Sequence, residues 1–166
     1  MSCGMSSVPM PAVISSPSPP PPMKAASVAA YASVVESCDR PRLVPALSAG
    51  ALRAGRELDV LVQVSLDGDP ERGGATIADV PALADAVAAA DGLRLSGVMA
   101  VAPLGQEPAR AFGRLAELAE RLRQDHPEAR ELSAGMSGDL EQAVAHGATH
   151  VRVGTALLGP RPPALR

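Results

Sequence analysis

The sequence predicts an α/β fold built on a parallel sheet, and three observations carry that prediction. Apolar, β-branched runs alternate strictly with stretches of helical periodicity, the order that produces a sheet covered by helices. Two of the runs, VLVQVSL (Val60–Leu66) and LRLSGVMAVAP (Leu93–Pro103), are almost continuously apolar, as strands covered on both faces are. Five strands are expected in all, near residues 34–37, 60–66, 95–101, 131–134 and 149–153. A closed eight-stranded β/α barrel takes roughly 250 residues. Only about 140 of the 166 remain once a low-complexity N-terminus is set aside, so length leaves a small open sheet or part of a barrel.

Residues 1–22 carry seven prolines and six serines and show no hydrophobic period. Pro19 to Pro22 favours extended polyproline II, and the whole segment is expected to be disordered. It has no basic start, and Pro9 and Pro11 interrupt its only apolar stretch, so it does not read as a secretory signal. From Met23 the texture changes: Val28, Tyr31 and Ala32 recur at helical spacing and lead into a strand at 34–37. Asp39 is placed to cap a helix over 40–54 that Gly55 stops. The strand Val60–Leu66, a polar loop and an alanine-rich helix over 80–90 follow. After the strand Leu93–Pro103, residues 109–124 form an amphipathic helix with Phe112, Leu115, Leu118, Ala119 and Leu122 on one face.

Composition narrows the function classes. A net charge of −3 and a hydrophobic fraction of 46% describe one soluble, mildly acidic domain, expected in the cytoplasm. Basic residues are scattered and the aromatics are Tyr31 and Phe112 alone, which argues against a nucleic-acid surface. No apolar run approaches the roughly 20 residues of a membrane helix. Cys3 and Cys38 are isolated thiols, in keeping with a reducing compartment. His126, His146 and His150 are ill-spaced for a metal, since Gly147 ends the helix between the last two.

The functional signal concentrates in ELSAGMSGDLEQAVAHGATHVRVGTALLGP, residues 131–160. Leu132–Ala134 reads as a short strand ending at Gly135, and Met136-Ser137-Gly138-Asp139 as a turn with two candidate N-caps, Ser137 and Asp139. Leu140, Ala143 and Val144 mark a helix stopped by Gly147, and 149–153 a strand closing on Gly154-Thr155. Ser137 offers a hydroxyl beside the free N–H groups of a helix start, and Gly154-Thr155 a second small turn. Neighbouring strand ends in a parallel sheet lie about 5 Å apart, so both turns can converge on one phosphate. The loops after strands seven and eight of β/α barrels commonly do so. An ordinary, well-capped βαβ unit has the same spacing, and spacing alone leaves both readings open.

This run resembles the C-terminal signature of the pyridoxal-phosphate homeostasis proteins, in which LSMGMS-x-D precedes an Ala-Ile helix and a Val-Arg-Ile-Gly strand. That family is similar in turn to the barrel domain of alanine racemase. Ala134 stands where the family usually has Met. VVESCDRPRLVPAL resembles the fourth-strand segment, with Glu36 in place of the usual His. GRELDVLVQVSLDGDPERGG resembles the fifth strand and its Lys-x-Gly loop, with Arg72 for the Lys and Ser65 where Asn is common; GLRLSGVMAVAP resembles the sixth. The resemblance covers about residues 24–161. It implies a partial (β/α)8, TIM-type barrel over 23–161, about the last five β/α units of an N-terminally truncated or mis-started member, with 162–166 as a tail.

The resemblance further implies pyridoxal 5'-phosphate (PLP) as cofactor and partner, in a homeostasis or carrier role without demonstrated catalysis. Carried over, Met136 and Ser137 would meet the phosphate, and Gly154 and Thr155 would complete the cradle. Arg152 would face the pyridine nitrogen and keep it unprotonated, because a second positive charge is unfavourable beside a guanidinium. A salt bridge across the barrel mouth is the alternative for Arg152, and a helix cap the expectation for Asp139. The family's Schiff-base lysine lies at the end of its first strand. Lys24 is the only lysine here and matches a basic residue before the fourth strand, so the covalent half of the site is expected to be missing and PLP binding impaired. The rival readings are a fragment of an amino-acid racemase, another phosphate-binding β/α-barrel enzyme, and a proline-rich recognition segment at 1–22.

Overall fold

The computed structural model describes residues 13–14, 22–69, 72–103 and 105–159. Its strands are β1 (Val13–Ile14), β2 (Val34–Cys38), β3 (Leu58–Val64), β4 (Leu93–Ala100), β5 (Glu131–Met136) and β6 (His150–Arg152). They lie side by side in chain order, each parallel to the next. Between them run α1 (Pro22–Val28), α2 (Val44–Ala54) behind a 3-10 turn at Pro41–Leu43, α3 (Val80–Ala88), α4 (Pro108–Asp125) and α5 (Leu140–Ala145). A one-turn helix, α6 (Thr155–Leu158), follows β6.

Alternation within the strands decides what faces what. On β3, Leu58, Val60, Val62 and Val64 join the apolar cluster beneath the helices, with Leu47, Leu83, Val87, Phe112 and Leu115. Each large side chain in that layer contributes about 1.5–3 kcal/mol by leaving water. Leu61 and Met99 are also buried but lie outside that cluster, on the inner face. The expected apolar face of α4 is the buried one, and Glu107 caps the helix by accepting from the Arg110 N–H at 3.2 Å.

The inner wall closes on itself. Going from β2 to β6 means four strand spacings, about 19 Å along the sheet, farther than a glutamate and an arginine reach together. Yet Glu36 Oε2 on β2 lies 3.5 Å from the Arg152 guanidinium on β6. The sheet is therefore curled into an open half-barrel. Gly97 permits the tightest approach within it: a Cβ there would lie 1.8 Å from the Glu131 carbonyl oxygen of β5. The pairing of β3 with β4 also shifts register beside it, between Val60 and Leu61.

Several expectations are corrected. Asp39 does not cap a helix over 40–54. Pro41 starts a 3-10 turn, and the Asp39 carboxylate instead grips Arg40 at 2.6 Å through both Nε and a terminal nitrogen. Tyr31 is exposed, and Ala25, Ala29 and Ala32 form the buried face of the first helical segment and its exit turn. β3 starts earlier and ends earlier than the run 60–66, because Leu58 and Asp59 pair with Leu93 and Arg94. Among the described residues the sheet has six strands, not five: Val13–Ile14, inside the segment expected to be disordered, pair with Val34 and Val35. The rest of that segment up to residue 21, and the expected tail 162–166, lie outside the described residues.

Candidate functional site

The carboxyl ends of the strands bring the loops to one rim. After β3, Ser65 and Arg72 both bond the Asp67 carboxylate, at 3.2 and 2.9 Å, and Arg72 also donates to the Ala102 carbonyl beyond β4 at 3.1 Å. Asp67 titrates below the usual carboxylate range: burial pulls it upward, but the Asp69 N–H and the Arg72 charge outweigh that. Arg114 of α4 donates to the Leu66 carbonyl at 3.0 Å, and Gly74 N–H reaches Asp39 at 3.4 Å. Arg72, in the place of the expected lysine, thus braces two loops.

The two turns singled out in the sequence meet. Ser137 Oγ, after β5, accepts from the Ala156 N–H in the first turn of α6, at 3.2 Å. A Cβ built on either Gly138 or Gly154 would find no atom within 4 Å, so space is open on both sides of this junction. Thr155 is the first residue of α6. Met136 is half-exposed, and its N–H donates to Asp139 Oδ1 at 2.6 Å. That bond braces the turn. Asp139 occupies the N-cap position of α5 but makes no side-chain capping bond, and neither does Ser137. Gly147 ends the helix as expected, at φ +86°. A cleft of about 220 Å³ beside Ser137 also carries Glu141, an acidic side chain.

Below this rim, on the inner face, Arg152 donates to Ser133 Oγ at 2.7 Å and to the Ala100 carbonyl at 3.3 Å, and approaches Glu36 at 3.5 Å. Glu36 and Ser133 are fully buried. Sequence reasoning did not assign either to the site. The available signals were a charged residue in an otherwise apolar strand, and a serine two residues before Gly135, on the face that Arg152 shares. At the amino ends of β3 and β4, Arg94, exposed to solvent, clasps Asp59 through two bonds of 2.5 and 2.6 Å. Burial raises the Glu131 carboxyl above its usual 4.5, helped by Asp59 and Glu36 and opposed by His150 and Arg94. Among the described residues no group of acidic, histidine or cysteine side chains could hold a metal, and no helix is long and apolar enough to cross a membrane.

A parallel half-barrel with a charged inner wall and small turns gathered at its carboxyl rim defines a β/α-barrel domain. The sequence profile of the alanine racemase N-terminal domain matches residues 9–162, and this chain belongs to that family. The match begins well before the residues in which the resemblance was legible. The pyridoxal phosphate homeostasis protein of Corynebacterium glutamicum is 43% identical over 146 residues, covering 84% of this chain and 66% of that protein. Its namesake in Mycobacterium bovis is 48% identical over 148 residues, covering 83% and 57%. The chain thus spans less than two thirds of the length of either relative. Among solved structures, PipY of Synechococcus elongatus, with PLP bound, superposes with a TM-score of 0.78 at 32% identity, over 85% of this chain and 68% of that one. Alanine racemase of C. glutamicum shares the fold, with a TM-score of 0.63 at 16% identity, over 93% of this chain and 42% of that one.

Proposed function

We propose that this chain binds pyridoxal 5'-phosphate through its phosphate and ring, without a covalent bond of its own, in a homeostasis or carrier role. The observation that carries the reading is the Ser137–Ala156 contact of 3.2 Å, which draws the β5 and β6 turns into one small, hydroxyl-bearing rim. The names of the relatives and the PLP held by PipY support it. What fits a phosphate here is the Ser137 hydroxyl and the open space beside Gly138 and Gly154; the N–H groups of Ala156, Leu157 and Leu158 are engaged by Ser137 and Gly154 and hold the turn in shape. Met136 contributes by shaping the turn, its own N–H being engaged by Asp139. Gly154 and Thr155 supply the second turn of the cradle. Arg152 stands beneath, held by Ser133 and Ala100, where it meets the ring edge of a ligand seated by its phosphate.

When bound, PLP supplies an electrophilic aldehyde and an electron-poor ring. The chain supplies position and charge. Its one lysine, Lys24, lies in α1, before β2.

An absorbance titration with PLP tests this, with wild type and Ser137→Ala in parallel, before and after borohydride and with peptide mapping. Saturable binding, no reducible adduct, and at least about tenfold weaker binding in the variant are expected, about 1.4 kcal/mol for one lost charge-assisted hydrogen bond. Equal affinity in the two proteins, or no binding, overturns the phosphate assignment. A reduced adduct mapped to Lys24 overturns the non-covalent mode.

A further inference from the structure

The upper half of β3 is apolar except at Gln63. Its neighbours Val62 and Val64 point outward into the cluster beneath the helices, so Gln63 points to the inner face. The register then places it in a row. Gln63 pairs with Met99 on β4, and Met99 pairs with Ser133 on β5, so an amide, a thioether and a hydroxyl stand at one level of the wall. Arg152 joins that level from β6 by donating to Ser133 Oγ at 2.7 Å. The backbones of Gln63 and Ser133 are two strand spacings apart, about 10 Å along the sheet. A ligand held by the guanidinium on one side therefore meets the amide on the other.

Accessibility separates these four side chains. Met99 and Ser133 are buried and form a floor, whereas Gln63 and Arg152 each keep part of their surface exposed. The other polar groups of the rim beside β3 are already engaged. Asp39 takes Arg40 and the Gly74 N–H, Ser65 takes Asp67, and Arg72 is shared between Asp67 and the Ala102 carbonyl. The side-chain amide of Gln63 makes no hydrogen bond among the described residues. A Cβ added to Gly73 would stand 3.7 Å from Gln63 Nε2, so the donor end of the amide lies beside the loop that follows β3. A partly desolvated amide without a partner is unfavourable, and a ligand that brings an acceptor removes the penalty.

The layout of the pyridine ring decides which acceptor. In PLP the ring nitrogen and the carbon bearing the phosphate arm flank a single C–H. Seating the arm at the Ser137 rim and the nitrogen at Arg152 turns that C–H toward β5 and β6. The ring position opposite it carries the phenolic oxygen, which then faces away from β6 and toward β3. We propose that the Gln63 side-chain N–H donates to this oxygen, which makes Gln63 a specificity-determining residue for 3-hydroxypyridine ligands. The inference rests on the PLP-binding reading above and keeps Arg152 at the ring nitrogen.

The test compares two ligands on the whole chain by isothermal titration calorimetry: PLP and its 3-deoxy analogue, in which hydrogen replaces the phenolic hydroxyl. Wild type is expected to bind PLP at least about tenfold tighter than the analogue. In Gln63→Leu, checked by circular dichroism for native folding, PLP affinity falls about tenfold, affinity for the analogue holds, and the preference disappears. Gln63→Glu keeps the shape of the side chain and loses the donor, so the same collapse is expected there if the leucine variant does not fold. Ser137→Ala weakens both ligands alike and leaves their ratio intact. A wild-type protein that binds the two ligands equally overturns the proposal whatever the variants do. So does a Gln63→Leu protein with unchanged PLP affinity, or one that loses both ligands to the same extent, since a merely structural role would do that. If Ser137→Ala weakens PLP binding while the ratio in wild type is one, the phosphate reading stands and the Gln63 inference falls. If folded wild type binds neither ligand, both fall together.

Discussion

Replacing Gly97 by alanine adds one carbon at the tightest point of the sheet. That Cβ would sit 1.8 Å from the Glu131 carbonyl oxygen, and 2.7 and 2.9 Å from the carbonyl carbon and nitrogen of the same residue, all backbone. Ordinary contact begins near 3.4 Å, so β4 and β5 must part by about 1.6 Å. These strands pair at Gly97–Glu131, Val98–Leu132 and Met99–Ser133 and nowhere else among the described residues, so the gap opens at one end of a short ladder. Losing two ladder hydrogen bonds costs about 1 kcal/mol each. Holding a side-chain-bearing residue at φ +157° adds roughly 1–3 kcal/mol. The expected total of about 3–5 kcal/mol is a large share of the 5–15 kcal/mol typical of a domain. Urea unfolding followed by far-ultraviolet circular dichroism measures it. Gly113→Ala is the matched control, because a Cβ there meets only the His146 ring at 3.6 Å and sits inside α4. That change is expected to stabilise by up to about 1 kcal/mol through helix propensity. If Gly97→Ala costs less than 1 kcal/mol, the close approach of β4 to β5 is wrong.

Two further outcomes follow from titrating groups. The Cys38 thiol is pushed up to about 12 by burial and by the neighbouring Asp39 charge. Mass-spectrometric mapping after iodoacetamide should leave Cys38 unmodified in the native protein and alkylate it in step with urea unfolding; modification at a free-thiol rate under native conditions would contradict its packing. Glu131 titrates above 4.5 in the folded state, so the native protein holds its proton more tightly than the unfolded chain does. Its contribution is full below the unfolded value and is lost as pH rises through the folded one. The thermal midpoint of wild type relative to Glu131→Gln should therefore decline across that window, by the equivalent of less than about 1 kcal/mol given solvent screening. A flat difference would show the carboxyl to be unperturbed.

Much of the fold was legible because its signals are local. The apolar runs of β3 and β4, the face of α4 and the stop at Gly147 each state their environment within a dozen residues. The meeting of Ser137 with the start of α6 was legible too, since one short helix joins the two turns. What failed depended on partners. Asp39 looks like a cap until Arg40 claims both of its oxygens, and β3 is displaced from its apolar run because Asp59 answers Arg94. Tyr31 fits a helical stripe in which small alanines are buried instead. The Glu36–Arg152 approach joins residues far apart in the chain, and no spacing rule reaches so far.

The agreement between strand order and chain order carries a consequence for how the protein is made. Every strand pairs with the one synthesised just before it, so each addition closes only the loop of a single β/α crossover. A nascent chain can lengthen the sheet one unit at a time as it leaves the ribosome, with no strand waiting for a distant mate. The contact between Glu36 and Arg152 is the exception. It spans four pairings, so it forms only once β6 has been added to the sheet.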